Sequence, residues 1–139
     1  MVDREMGLPH RVLVAAQPGA WSVLQRRLDN GVDAVPVHSI DDGFQVLDHD
    51  SRIDLIIATI AFDDSRMVEF LQAVKRNPPT RAIPFLCSRV LANVLPNSLV
   101  GQMRNLCKQC GAVDLVDIST LDPDAARAAL RAAIDASLQ

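Results

Sequence analysis

Few residues in this chain have the type and spacing that chemistry needs. Cys107 and Cys110 form a CxxC pair, a pattern that can supply a thiol redox couple or half of a zinc site. A reactive pair draws its low pKa from a helix N-terminus. This pair falls instead at the predicted end of a helix closed by Gly111, where the helix dipole opposes a thiolate. No second ligand pair for zinc is apparent, since His10, His38 and His49 stand apart and Cys87 lies in an apolar predicted strand. Core packing is the favoured reading of the cysteines, and a thiol redox protein using Cys107 and Cys110 is an alternative. Thr59 ends a long apolar run, but an alcohol without a neighbouring base is a poor nucleophile. The stretch AAQPGAW after the first predicted strand has neither the hydroxyl-rich nor the glycine-rich pattern that cradles phosphate, which argues against nucleotide or flavin binding. The expectation is a non-enzymatic chain with no catalytic residue, no metal and no cofactor.

The elements that would position these residues are written more plainly. Residues 53–60 are almost continuously apolar and isoleucine-rich, as suits a parallel strand covered by helices on both faces. Before them, residues 11–16 form a first strand, and the turn Gln17-Pro18-Gly19 leads into a helix with Trp21, Leu24 and Leu28 at helical spacing, ended by Asn30-Gly31. Residues 32–38 form a second strand whose Pro36 suits a sheet edge. Ser39 or Asp41 caps a second helix closed by Asp50-Ser51. After the central strand, a third helix is predicted over residues 64–77, stopped by Pro78-Pro79. Residues 82–88 form the fourth strand. Leu99, Met103, Leu106 and Cys110 then mark a helix over 98–110, and residues 113–118 a fifth strand. Asp122-Pro123 opens a last, alanine-rich helix. The expected fold class is α/β, a five-stranded parallel sheet flanked by five helices.

The 139 residues read as one domain, 1–139, with 1–10 a polar leader. A net charge of −3 with scattered arginines argues against a nucleic-acid binder or a polybasic membrane module. Without a secretory signal or membrane span in sight, the expectation is a cytoplasmic protein whose three cysteines are free thiols.

With its strands placed, the chain resembles the receiver domain of bacterial response regulators, over roughly residues 11–138. The stretch DLIIATIAFDDSRMVEFLQAVKRNPPTRAIPFL aligns without a gap over that family's third strand, phosphorylation loop, third helix and fourth strand, and CGAVDLVDI matches its fifth strand. The resemblance implies the flavodoxin-like three-layer sandwich. It also implies a phosphorylation site of two acidic residues holding Mg²⁺, an acceptor aspartate, a Ser or Thr, and a lysine. Here those positions are Ala16 and Gln17, Thr59, Ser88 and Ile118, so only Ser88 keeps its type. Magnesium needs hard carboxylate oxygens, and phosphoryl transfer is mostly positioning and charge neutralisation, so such losses are not conservative. The chain therefore reads as a degenerate pseudo-receiver, with Trp21 expected near the vacated pocket.

Between the fourth strand and the next helix, RVLANVLPNS adds about one or two turns, and it is read as a loop or a short extra helix. Val90, Leu91, Val94 and Leu95 are apolar for a solvated loop, and they are expected either to cover the vacated pocket or to form a partner or dimer surface. The resemblance favours association through the fourth helix, fifth strand and fifth helix. The function expected is a phosphorylation-independent signalling module that works by protein-protein contact with a kinase, regulator or effector. A small-molecule sensor using the pocket of Ala16, Gln17, Thr59 and Ser88 is the alternative from another class.

Overall fold

Residues 55–59, Leu-Ile-Ile-Ala-Thr, are buried at every position, a pattern that a strand satisfies only in the middle of a sheet with helices on both faces. The computed structural model describes residues 9–29 and 31–139, and it supplies that setting. Strands β1 (His10–Ala15), β2 (Val32–Val37), β3 (Leu55–Thr59), β4 (Phe85–Arg89) and β5 (Asp114–Asp117) form one parallel sheet in the order β2-β1-β3-β4-β5. Between and after them run helices α1 (Pro18–Leu24), α2 (Ile40–His49), α3 (Met67–Arg76), α4 (Val100–Gln109) and α5 (Pro123–Ser137), with a further four-residue helical turn at Phe62–Ser65. This is the α/β, flavodoxin-like three-layer arrangement.

Alternate residues along each strand divide the core in two. Leu13, Ile56, Phe85 and Leu115 face one layer with Leu47 of α2, Phe70 of α3 and Cys107 of α4. Val12, Ile57 and Leu86 face the other with Leu24 of α1 and Leu130 of α5. Phe70 anchors the first layer, its ring centroid 5.6 Å from Phe44, 5.3 Å from Phe62 and 5.7 Å from Phe85. These offset and edge-on contacts are the geometry that aromatic quadrupoles favour. Pro36, which has no N–H for the ladder, sits on the edge strand β2, opposite Val14 of β1.

The structure moves several boundaries. α1 ends at Leu24, short of Asn30-Gly31, because the amides of Arg26 and Arg27 bond three residues back and tighten the chain into turns. Asn30 and most of the polar leader lie outside the described residues. α3 begins at Met67 rather than 64, since Asp63, Asp64 and Ser65 all have left-handed backbone with φ of 49°, 57° and 63°. β4 starts at Phe85, beyond Pro84, and runs on to Arg89. The stretch 89–98 contains two short 3-10 turns, Ala92–Val94 and Asn97–Leu99, rather than one helix. On α4 the spacing of Leu99 and Leu106 does not mark the core face. Both are exposed, and Val100, Met103 and Cys107 pack inward instead. Ser39 caps α2, its hydroxyl accepting from the Asp42 amide at 3.1 Å, and Asp122 caps α5 in the same way at 2.8 Å.

Candidate functional site

The strand order reverses between β1 and β3, and open α/β sheets place their crevice at the carboxyl ends of the strands on either side of such a reversal. Five residues occupy that end of the sheet, at the positions that the resemblance matches to a phosphorylation site. Ala16 is fully buried just past β1. Thr59 and Ser88, register partners on β3 and β4, are buried and spend their hydroxyl hydrogens on backbone carbonyls, Thr59 on Ala15 and Ser88 on Ala58, each at 3.4 Å. Ile118 is 4% exposed and joins Ala16, Ala20 and Val90 in one apolar layer. Gln17, half-buried, is the remaining member, and none of the five carries a formal charge.

A cavity of about 60 Å³ lies at this point. Gln17, Gly19, Ala20, Thr59, Ile60 and Ala61 line it on one side, and Val90, Leu91 and Val94 line it from the segment at and after the end of β4. Ala16 and Ser88 sit behind the walls rather than on them. Leu95 turns away and packs against the layer of α2, α3 and α4. Trp21, expected beside the pocket, packs half-buried against the α1 and α5 layer and does not line the cavity.

The residue that shapes the segment after β4 is one that motif reading passes over. Arg89, 2% exposed, ends β4 and pairs with Asp117 of β5 at 2.9 Å. Its Nη2 donates to the carbonyls of Ala92 at 3.0 Å and Leu95 at 2.7 Å and to Asn97 Oδ1 at 2.7 Å. One guanidinium thus holds three points of the segment that carries Leu91 and Val94. Burial opposes the charge on Asp117, but the Ser119 hydroxyl and amide and the Arg89 guanidinium outweigh it and hold the carboxyl below its usual range. The sequence carries only a trace of this pair, Arg89 directly after the predicted fourth strand and Asp117 within the predicted fifth, and only the β4–β5 register shows that they meet.

The cysteines gather around the other layer. Cys87 and Cys107 are fully buried and Cys110 is half-buried, with Gln72 Nε2 donating to Cys110 Sγ at 3.8 Å. The hydrogen bond with Cys107, together with burial, pushes the Cys87 thiol up. The near neighbour of Cys107 is therefore Cys87 as well as its CxxC partner. Among the described residues, no group of three His, Cys, Asp or Glu side chains is placed to hold a metal ion. His38 and His49 are exposed, their Nδ1 atoms against the carbonyls of Ala16 and Gln45. No helix among the described residues is long and apolar enough to cross a membrane.

No protein-family model matches the chain, and no curated protein matches it by sequence. Solved structures do match in fold. An orphan response regulator of Helicobacter pylori, HP1043, is 22% identical with a TM-score of 0.64, over 94% of this chain and 97% of that one. The phosphorylated cyanobacterial phytochrome response regulator RcpA is 14% identical with a TM-score of 0.72, over 94% and 95%. The chemotaxis response regulator CheY4 of Vibrio cholerae is 16% identical with a TM-score of 0.65, over 91% and 98%. The fold of this chain, with its strand order and its crevice, is that of the CheY-like receiver domains.

Proposed function

We propose that this chain is a pseudo-receiver, a signalling module that acts by protein-protein contact and independently of phosphorylation. The observation that carries the reading is the state of the crevice. Where Mg²⁺ and a phosphoryl group would need carboxylates and a lysine, the chain places Ala16, Gln17, Thr59 and Ile118, and Val90, Leu91 and Val94 line the space beside them. A doubly charged metal and a phosphoryl group would be desolvated there without compensation. Incubation with acetyl phosphate and Mg²⁺ followed by intact-mass measurement is expected to show no phosphoryl adduct. A stoichiometric adduct would overturn the reading.

The apolar surface that supports a contact role comes from the residue before α4, from α4 itself, from the residue before β5 and from the turn between β5 and α5. Leu99, Leu106, Val113 and Leu121 are each about two-fifths exposed, between 39% and 42%, while Leu91, Val94 and Leu95 are half-buried and Val90 is buried. The partner we favour is another signalling protein, a kinase, regulator or effector, with a second copy of this chain as the other occupant of the same face. Leu106→Asp and Leu121→Asp together should abolish capture of such a partner and any dimer seen by light scattering, with the circular dichroism spectrum unchanged. Retained association in that folded variant would remove this face from consideration.

A further inference from the structure

We infer that the vacated crevice is a binding site for a small, neutral, apolar molecule of up to about four non-hydrogen atoms. The inference rests on the reading that phosphoryl chemistry has left the crevice, and it names what the space would accept instead. The cavity measures about 60 Å³. One water needs roughly 10–15 Å³ by a comparable measure, and an apolar cavity of roughly 150 Å³ takes benzene, so this one admits a molecule distinctly smaller than benzene.

Its lining decides the chemistry. Ala20, Ile60, Ala61, Val90, Leu91 and Val94 contribute hydrocarbon; Gln17 and Thr59 also line the space, but almost none of the surface presented to it is polar, and the Thr59 hydroxyl already donates to the Ala15 carbonyl. Water needs two to four polar partners to stay in such a place, whereas an apolar guest needs none. An anion is disfavoured for the complementary reason, since no lining residue is charged. The segment after β4 is coupled to the rest of the sheet. Leu91 and Val94 lie in the segment that Arg89 holds through the carbonyls of Ala92 and Leu95, and the same guanidinium reaches Asp117 on β5.

Xenon and propane are the probes, titrated into the ¹⁵N-labelled chain of 139 residues, with inorganic phosphate as the anionic control. Both are expected to give saturable shifts at the amides of Gly19, Ala20, Ala61, Leu91 and Val94, and phosphate none. Two variants reduce the space without opening the fold. A Cβ at Gly19 would stand 4.0 Å from Leu91 Cδ1, in ordinary contact, so Gly19→Ala adds one methyl group, and Val94→Ile adds another. Each is expected to weaken binding about fourfold, the worth of one buried methylene. Absence of saturable shifts with both gases, shifts undiminished in both variants, or the same shifts with phosphate would overturn the site. A phosphoryl adduct in the acetyl phosphate experiment would defeat the pseudo-receiver reading whatever xenon does. A chain that takes no phosphoryl group and ignores both gases would defeat this site alone.

Discussion

Arg89 and Asp117 face each other as register partners on β4 and β5, their side chains 2.9 Å apart, with the arginine almost wholly buried and the aspartate about a quarter exposed. A buried guanidinium is stable here because one carboxylate and three oxygen acceptors surround its Nη atoms, although its Nε is buried without a partner. Removing the carboxylate leaves the charge in place, so Asp117→Asn is expected to cost about 2–4 kcal/mol, below the upper range for buried pairs because Asp117 is partly solvated. Adding Arg89→Met removes the stranded charge and should recover part of that loss. Urea unfolding of the single and double variants checks this. A double variant that is no more stable than Asp117→Asn would show that Arg89 contributes through its hydrogen bonds to the 92–97 segment rather than through its charge.

Acid stability follows from the same carboxylate and from Asp50. The Arg11 guanidinium and the Arg52 amide hold the Asp50 carboxyl below its usual range, and Asp117 is held low as described. The folded pKa of each is depressed, so the unfolded chain binds more protons at acidic pH. The stabilisation is fully present above the ordinary value of 3.8 and is lost as pH falls below it through the folded values. Thermal unfolding should show a steep fall in melting temperature beneath about pH 4, and Asp50→Asn should make that fall shallower.

Two glycines should respond oppositely to alanine. Gly19, in the first turn of α1, has ordinary backbone and space for a Cβ, so Gly19→Ala is expected to stabilise by about 0.4–1 kcal/mol through the unfolded chain. Gly111 has φ of 109° and a Cβ there would stand 3.1 Å from Lys75 Cγ. Lys75 cannot yield freely, since its Nζ donates to the carbonyls of Arg81 and Ile83 at 3.0 and 2.8 Å. Gly111→Ala should therefore cost about 1–2 kcal/mol or more, and chemical denaturation of the pair separates the two cases.

The difference between these glycines also shows what can be read from sequence. Apolar runs such as residues 53–60 and turn residues such as Asp122-Pro123 act through neighbours in the chain, so the strands, the capped starts of α2 and α5 and the parallel sheet were legible. The candidate site of Ala16, Gln17, Thr59, Ser88 and Ile118 was placed by resemblance and not by any spacing within the chain. What was not legible depends on register and direction across the sheet. Leu99 and Leu106 keep helical spacing yet point outward, because α4 meets the sheet through Val100, Met103 and Cys107. Arg89 reads as the start of a loop until β4 and β5 are aligned, and only then does its partner appear.

The loop after β3 posed the same difficulty, and it yields a sharper test. Asp63, Asp64 and Ser65 in succession adopt left-handed backbone, a conformation that costs an L-residue roughly 1–2 kcal/mol. Asp63 has a compensation. Its Oδ2 accepts from the Ile40 amide at 2.8 Å, satisfying a free donor in the first turn of α2, and from Arg66 Nη2 at 2.7 Å. Asp64 is exposed, and the bonds that hold the turn do not involve its side chain. Glycine at 64 relieves the strain and loses nothing, so Asp64→Gly should stabilise by about 1 kcal/mol. Asp63→Gly relieves the same strain but takes the acceptor from the Ile40 amide, and Asp63→Ala takes it without relief, while Ser39 still caps α2 in both. The expected order of stability is therefore Asp64→Gly, the unaltered chain, Asp63→Gly and last Asp63→Ala, with the final pair separated by about 1 kcal/mol. An Asp63→Gly variant as stable as Asp64→Gly would mean that the Asp63 to Ile40 bond contributes nothing, and that another contact holds the left-handed turn in place.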